Sequence, residues 1–105
     1  MPTLVIHAPR TMAQSQNKRS FQQTVQTGVG DGYAITQKER ALITSGWDVV
    51  VLDKDSRNRA EGKLVRLDPN GWTKSGIQRY DVHIARLTSV PYQPEALNRR
   101  GVAIL

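Results

Sequence analysis

Flat aromatic side chains and nearby cations are the residues here whose types and spacing suit chemistry. Trp47 and Trp72 each follow a glycine in stretches that read as loops, and Tyr33 follows Gly32 at the start of a short strand. Arg10, Lys18, Arg19 and Lys38 lie in or near the elements around Tyr33. Aromatic faces accept nucleic acid bases at about 1–3 kcal/mol per stacked base, and cations hold phosphates. The expected site is therefore Arg10, Lys18, Tyr33, Lys38, Trp47 and Trp72. In it Tyr33 and Trp47 stack on a base, Arg10 and Lys38 hold phosphate, and Trp72 stacks on a neighbouring base. The plain alternative makes Tyr33, Trp47 and Tyr80 core residues of a small domain with few other large side chains. Trp72 is then the aromatic expected to be exposed.

Other chemistries find less support. Asp81 and His83 share one face of a predicted strand, and Ser20 is a hydroxyl, but no nucleophile elbow or activated serine context accompanies them. His7 and His83 are the only histidines and there is no cysteine, so no thiolate metal site or disulfide can form and no metal or cofactor is expected. The glycines at 28, 30 and 32 evoke a phosphate cradle, but they follow a polar helix rather than a strand and no dinucleotide-type helix comes next. For an RNA-cleaving enzyme the polar groups to examine are Tyr33, Lys38, Arg40 and Asp48.

The chain has 105 residues, which predicts one domain over residues 1–105. Fifteen Lys and Arg against nine Asp and Glu leave a net charge of +6, and the sequence pI is near 10.2. That balance favours a polyanion such as RNA or DNA. The excess is concentrated at the two ends: residues 1–30 contain Arg10, Lys18 and Arg19 and no acid. Ordinary solvated surface is the competing explanation. Thr3-Leu4-Val5-Ile6 is too short for a signal peptide and no stretch approaches the ~20 apolar residues of a membrane span, so a cytoplasmic protein without membrane attachment is expected.

The elements that must position these residues are arranged around residues 46–67. Val49-Val50-Val51-Leu52 is apolar on both faces and predicts a central strand. The polar run 53–58 turns the chain into a returning strand, where Gly62 suggests a bulge or close backbone approach. Before it, Thr3 to Ala8 reads as a strand ended by Pro9. A polar helix is predicted from about Asn17 to Gln26, then a glycine loop, then the short strand Tyr33-Ala34-Ile35. Thr36 and Glu39 match a capping box for a second helix, and Gly46 is placed to end it. Asp68-Pro69-Asn70-Gly71 predicts a turn and residues 72–76 a loop. Ile77 to Leu87 alternates, with Tyr80, Val82 and Ile84 on one face. Pro91 stops that strand, Pro94 opens a last helical turn, and residues 101–105 form a terminal strand or buried tail.

In this order the chain resembles the EVE domain within the PUA-like group of small β-barrels. The resemblance rests on Leu4-Val5-Ile6 running toward Pro9, Gly32-Tyr33-Ala34-Ile35, the capped helix, Gly46-Trp47-Asp48-Val49-Val50-Val51, Glu61-Gly62-Lys63-Leu64-Val65, and Tyr80-Asp81-Val82-His83-Ile84 followed by Val90-Pro91. Trp47 interrupts the Gly-Asp pair that usually precedes the family's central strand. The resemblance implies a cleft between barrel and helices that takes RNA or a modified base. The expected fold is α+β, a small mixed and largely antiparallel barrel of five or six strands with two or three short helices. The expected function is a nucleic-acid-binding module holding a base in an aromatic-lined cleft. A protein–protein interaction domain using Trp72 and the Gln-rich helix is the alternative, and an RNA-processing enzyme comes third.

Overall fold

The computed structural model describes residues 2–8, 19–98 and 100–105. Six strands, β1 (Thr3–His7), β2 (Val29–Ala34), β3 (Asp48–Asp53), β4 (Asn58–Trp72), β5 (Gln78–Val90) and β6 (Val102–Ile104), form one sheet in the order β2-β5-β4-β3-β1-β6. Neighbours are antiparallel except β1 and β3, which run parallel with Val5 opposite Val50. The sheet curls into a half-barrel with two short helices among the described residues, α1 (Phe21–Thr27) and α2 (Gln37–Leu42). None of these helices is long and apolar enough to cross a membrane.

The run at residues 49–52 is apolar on both sides because both sides are covered. Val49 and Val51 join Leu4, Ile6, Leu64 and Val82 in the main core. Val50 and Leu52 point the other way with Val5, where Tyr92 and Leu97 from the segment after β5 pack over them. Each such side chain contributes about 1.5–3 kcal/mol relative to exposure, so this strand is the anchor of the sheet. Asp53, at the end of β3, is fully buried, and its carboxylate accepts from the backbone N–H groups of Asp55 and Ser56 and from Asn58 Nδ2. It thereby fixes the turn into β4. Gly62 sits at a register shift between Glu61 and Lys63, and a Cβ there would fall 2.7 Å from the Ala85 carbonyl oxygen. Both the bulge and the close approach predicted at this glycine are present.

Both helices begin with capping boxes. Thr36 Oγ1 accepts from Glu39 N while the Glu39 carboxylate accepts from Thr36 N. Ser20 and Gln23 do the same for α1, which starts at Phe21; the start predicted at about Asn17 lies outside the described residues. No ladder joins β2 to β1 or β6. Instead the Tyr33 hydroxyl donates to the His7 carbonyl at 3.0 Å, and Arg100 donates to the Ala34 carbonyl at 2.9 Å while pairing with Glu39.

Four local expectations are corrected. The glycine stretch is not a loop but most of β2, irregularly paired with β5 between Gly30 and Tyr33. Helix α2 ends at an extended Ile43, so Gly46 belongs to the turn before β3. Residues 68–71 do not reverse the chain: Pro69 lies in β4 opposite Tyr80, at a register shift where a missing N–H is tolerated. The reversal comes at residues 73–77, where Thr73 N donates to the Ile77 carbonyl at 2.9 Å and Gly76 N to the Thr73 carbonyl at 3.1 Å. Finally, Pro94 opens no helix; residues 91–98 run irregularly across the outer face. The terminal strand β6 pairs with β1 within the chain.

Candidate nucleic-acid interface

The long β4–β5 hairpin carries Trp72 to its end, where it pairs with Gln78 and stays 65% exposed. On β5 the alternation that sends Val82 and Ile84 into the core places Gln78 and Tyr80 further along the same face. The chain enters α2 beside them, because Ile35 N donates to the Gln78 carbonyl at 3.2 Å. Between these elements lies an open cleft of about 350 Å³. Ile35, Thr36 and Gln37 line it from the α2 side, and Trp72, Gly76, Ile77, Gln78 and Tyr80 from the hairpin.

None of the lining residues carries a charge, but cations flank them. Arg40, on α2, places its guanidinium carbon 5.7 Å from the Tyr80 ring centroid, a cation–π distance, and also donates to the Ile43 carbonyl. Lys38 is exposed and follows Gln37; Lys74 is exposed in the turn between Trp72 and Gly76. Arg79 follows Gln78 and donates to the Gly32 carbonyl at 2.8 Å. The α2 wall is held by Glu39, whose carboxyl is pulled below its ordinary range chiefly by the hydrogen bond from Arg100. A neutral, partly apolar cleft with an open indole and a rim of cations suits a flat heterocycle attached to an anion.

The structure distributes the predicted site residues unevenly. Trp72 lines the cleft and Lys38 adjoins it. Tyr33 and Trp47 do not line it: they are 2% and 9% exposed and belong to the main core. Burial, with Asp31 adding to it, pushes the Tyr33 hydroxyl far above its ordinary pKa, consistent with its role as a donor to His7. The expectation that these two rings stack on a base is corrected, because neither offers an open face. Arg10 and Lys18 lie outside the described residues. Tyr80, Gln37 and Gln78 were missed as site residues. The available signal was the two-residue spacing of Gln78 and Tyr80, but placing the reversal at 68–71 hid their closeness to Trp72.

The groups weighed for hydrolysis are employed separately. Ser20 caps α1; Asp81 accepts from Gly32 N and Asn70 Nδ2; His83 Nε2 meets Asp68 at 2.9 Å. Asp48 pairs with Lys63 beside a second cleft of about 300 Å³, shared with Thr3, Arg59, Glu61 and Leu105. That cleft has no aromatic lining, and its Arg59 already binds Glu61 and Glu95.

The chain matches no protein-family model, no curated protein and no solved structure.

Proposed function

We propose that this protein is a nucleic-acid-binding module of the PUA-like kind, holding an unpaired base in the cleft between α2 and the end of the β4–β5 hairpin. The observation that carries the reading is Trp72, a large ring 65% exposed at the mouth of a cleft that also contains Tyr80. An indole left in water at a hairpin end contributes little to folding, whereas a base stacked on it gains about 1–3 kcal/mol. The cleft volume sits at the lower end of the ~300–1,000 Å³ typical of small-ligand sites, enough for a base but not for a duplex. In this reading Lys38, Arg40 and Lys74, which flank the cleft, meet the phosphates on either side of that base. The half-barrel with a helix-walled cleft supports the PUA-like reading.

The test is tryptophan fluorescence during titration with short single-stranded and duplex oligonucleotides, at low and moderate salt. Saturating quenching by single strands, weakened by salt, is the expected result. Trp72→Ala is expected to weaken binding roughly 5- to 150-fold while leaving the fold intact, from the stacking energy above. A folded Trp72→Ala protein that binds like the parent refutes the reading, and binding to a protein partner that salt does not weaken favours an interaction domain instead.

A further inference from the structure

The polar groups of Thr36 and the Ile77 backbone, which line the cleft, are already committed. Thr36 Oγ1 accepts from Glu39 N and contacts the Glu39 carboxylate, Thr36 N donates to that carboxylate, and the Thr36 carbonyl accepts from Arg40 N. Ile77 uses its N–H on Thr73 Oγ1 and its carbonyl on Thr73 N. Gln78 differs. Its Nε2 donates to the Gly71 carbonyl at 2.7 Å and to the Arg79 carbonyl at 3.3 Å. Two carbonyls, which only accept, thus determine which end of the amide is nitrogen. The other end, Oε1, is an acceptor of fixed polarity, and no hydrogen bond to it is made by any described residue. The Gln37 amide, by contrast, is on the exposed first turn of α2 and can turn either end toward a ligand.

From this polarity we infer that Gln78 is a specificity-determining residue that selects bases presenting the exocyclic amino group of adenine or cytosine over uracil and thymine, which carry a carbonyl at that place. The inference rests on the base-holding reading given above. An amino N–H directed at Oε1 completes its hydrogen bonding, whereas a base carbonyl in the same place sets two lone pairs against each other and leaves both unsatisfied. Trp72 and Tyr80 supply stacking that every base shares and that separates the similar rings of cytosine and uracil little, so discrimination between those two falls to a polar group of settled direction. Among the described lining side chains Gln78 offers the acceptor of settled direction, whereas the Trp72 indole N–H can only donate and so makes no bond to an amino group.

The experiment compares oligo(A), oligo(C) and oligo(U) of equal length by Trp72 fluorescence, for the parent and for Gln78→Met. The parent is expected to bind oligo(A) and oligo(C) about tenfold more tightly than oligo(U), and Gln78→Met to bring the three within about twofold of one another. Gln78→Met also removes the bond to Gly71, but loosening the hairpin weakens all three oligomers together and does not equalise them. Oligo(A) carrying N6,N6-dimethyladenine, which has no amino N–H, is expected to bind no better than oligo(U) to the parent. Equal binding of all oligomers by the parent overturns the inference while leaving the base-holding cleft standing. Preserved selectivity in Gln78→Met also overturns it. Absence of quenching by any oligomer overturns both.

Discussion

Gly46-Trp47 and Gly71-Trp72 are the same dipeptide in two places. Their backbones are also alike: the glycines have φ of 91° and 77°, and at neither would a Cβ meet another atom within 4 Å. Yet one indole is 9% exposed and the other 65%. Gly46-Trp47 is fastened to the sheet interior, with Gly46 N donating to the Leu64 carbonyl and Leu64 N donating to the Trp47 carbonyl, both at 2.8 Å. Gly71-Trp72 closes the far end of the longest hairpin, beyond the reach of the core. Each glycine takes a left-handed backbone step just before its tryptophan, and distance from the sheet centre decides whether that aromatic builds the fold or stays exposed.

The comparison can be broken most directly by removing each ring. Trp47→Ala is expected to lower stability by about 3–5 kcal/mol in urea unfolding, as large core truncations do. Trp72→Ala should stay within about 0.5 kcal/mol of the parent; similar losses from the two substitutions would end the distinction. Acrylamide quenching sharpens it by reading exposure rather than stability: in folded single-tryptophan proteins made by Trp47→Phe or Trp72→Phe, Trp72 emission should be quenched readily and Trp47 emission shielded. The shared half of the comparison is tested by Gly46→Ala and Gly71→Ala. Each forces an L-residue into left-handed backbone and should cost about 1–2 kcal/mol, nearly equal at the two sites.

The smallest effect concerns the α2 wall of the exposed site. The Glu39 carboxyl is held below its ordinary 4.5 mainly by the Arg100 hydrogen bond. Its contribution is therefore present above that ordinary value and is lost as pH falls through the lower folded value. Glu39→Gln should therefore lower stability near neutrality and flatten that part of the acid limb, the two proteins converging at low pH. An unaltered acid limb would separate the wall from the Arg100 contact.

How much of this was legible in the sequence depended on range. β3 could be read because four adjacent apolar residues need cover on both sides, and the Thr36–Glu39 cap because its geometry is entirely local. The same grammar at Ser20 and Gln23 was passed over inside a polar stretch. Pro69-Asn70-Gly71 carries a strong turn signal, but continued pairing of β4 with β5 through a register shift overrides it, and the hairpin reverses later. Tyr80 was read as sharing one face of its strand with Val82 and Ile84, and it packs partly buried against the core they belong to. That it also walls a cleft depends on α2 arriving beside Gln78, a contact between residues far apart in the chain that no local pattern encodes.

The side-chain links between β2 and its neighbours across the gap have a consequence for tolerance. A strand ladder adjusts only in whole residues, each slip turning every side chain to the opposite face. A tyrosine hydroxyl on a carbonyl, or a guanidinium on a carboxylate, can follow its partner over fractions of an ångström without losing the bond. Among the described residues the half-barrel thus has a compliant joint beside strands joined by ladders. Modest changes of volume at core residues next to it in the chain, such as Ile6 before His7 or Ile35 after Ala34, are expected to be absorbed there, leaving the registers of the other strands undisturbed.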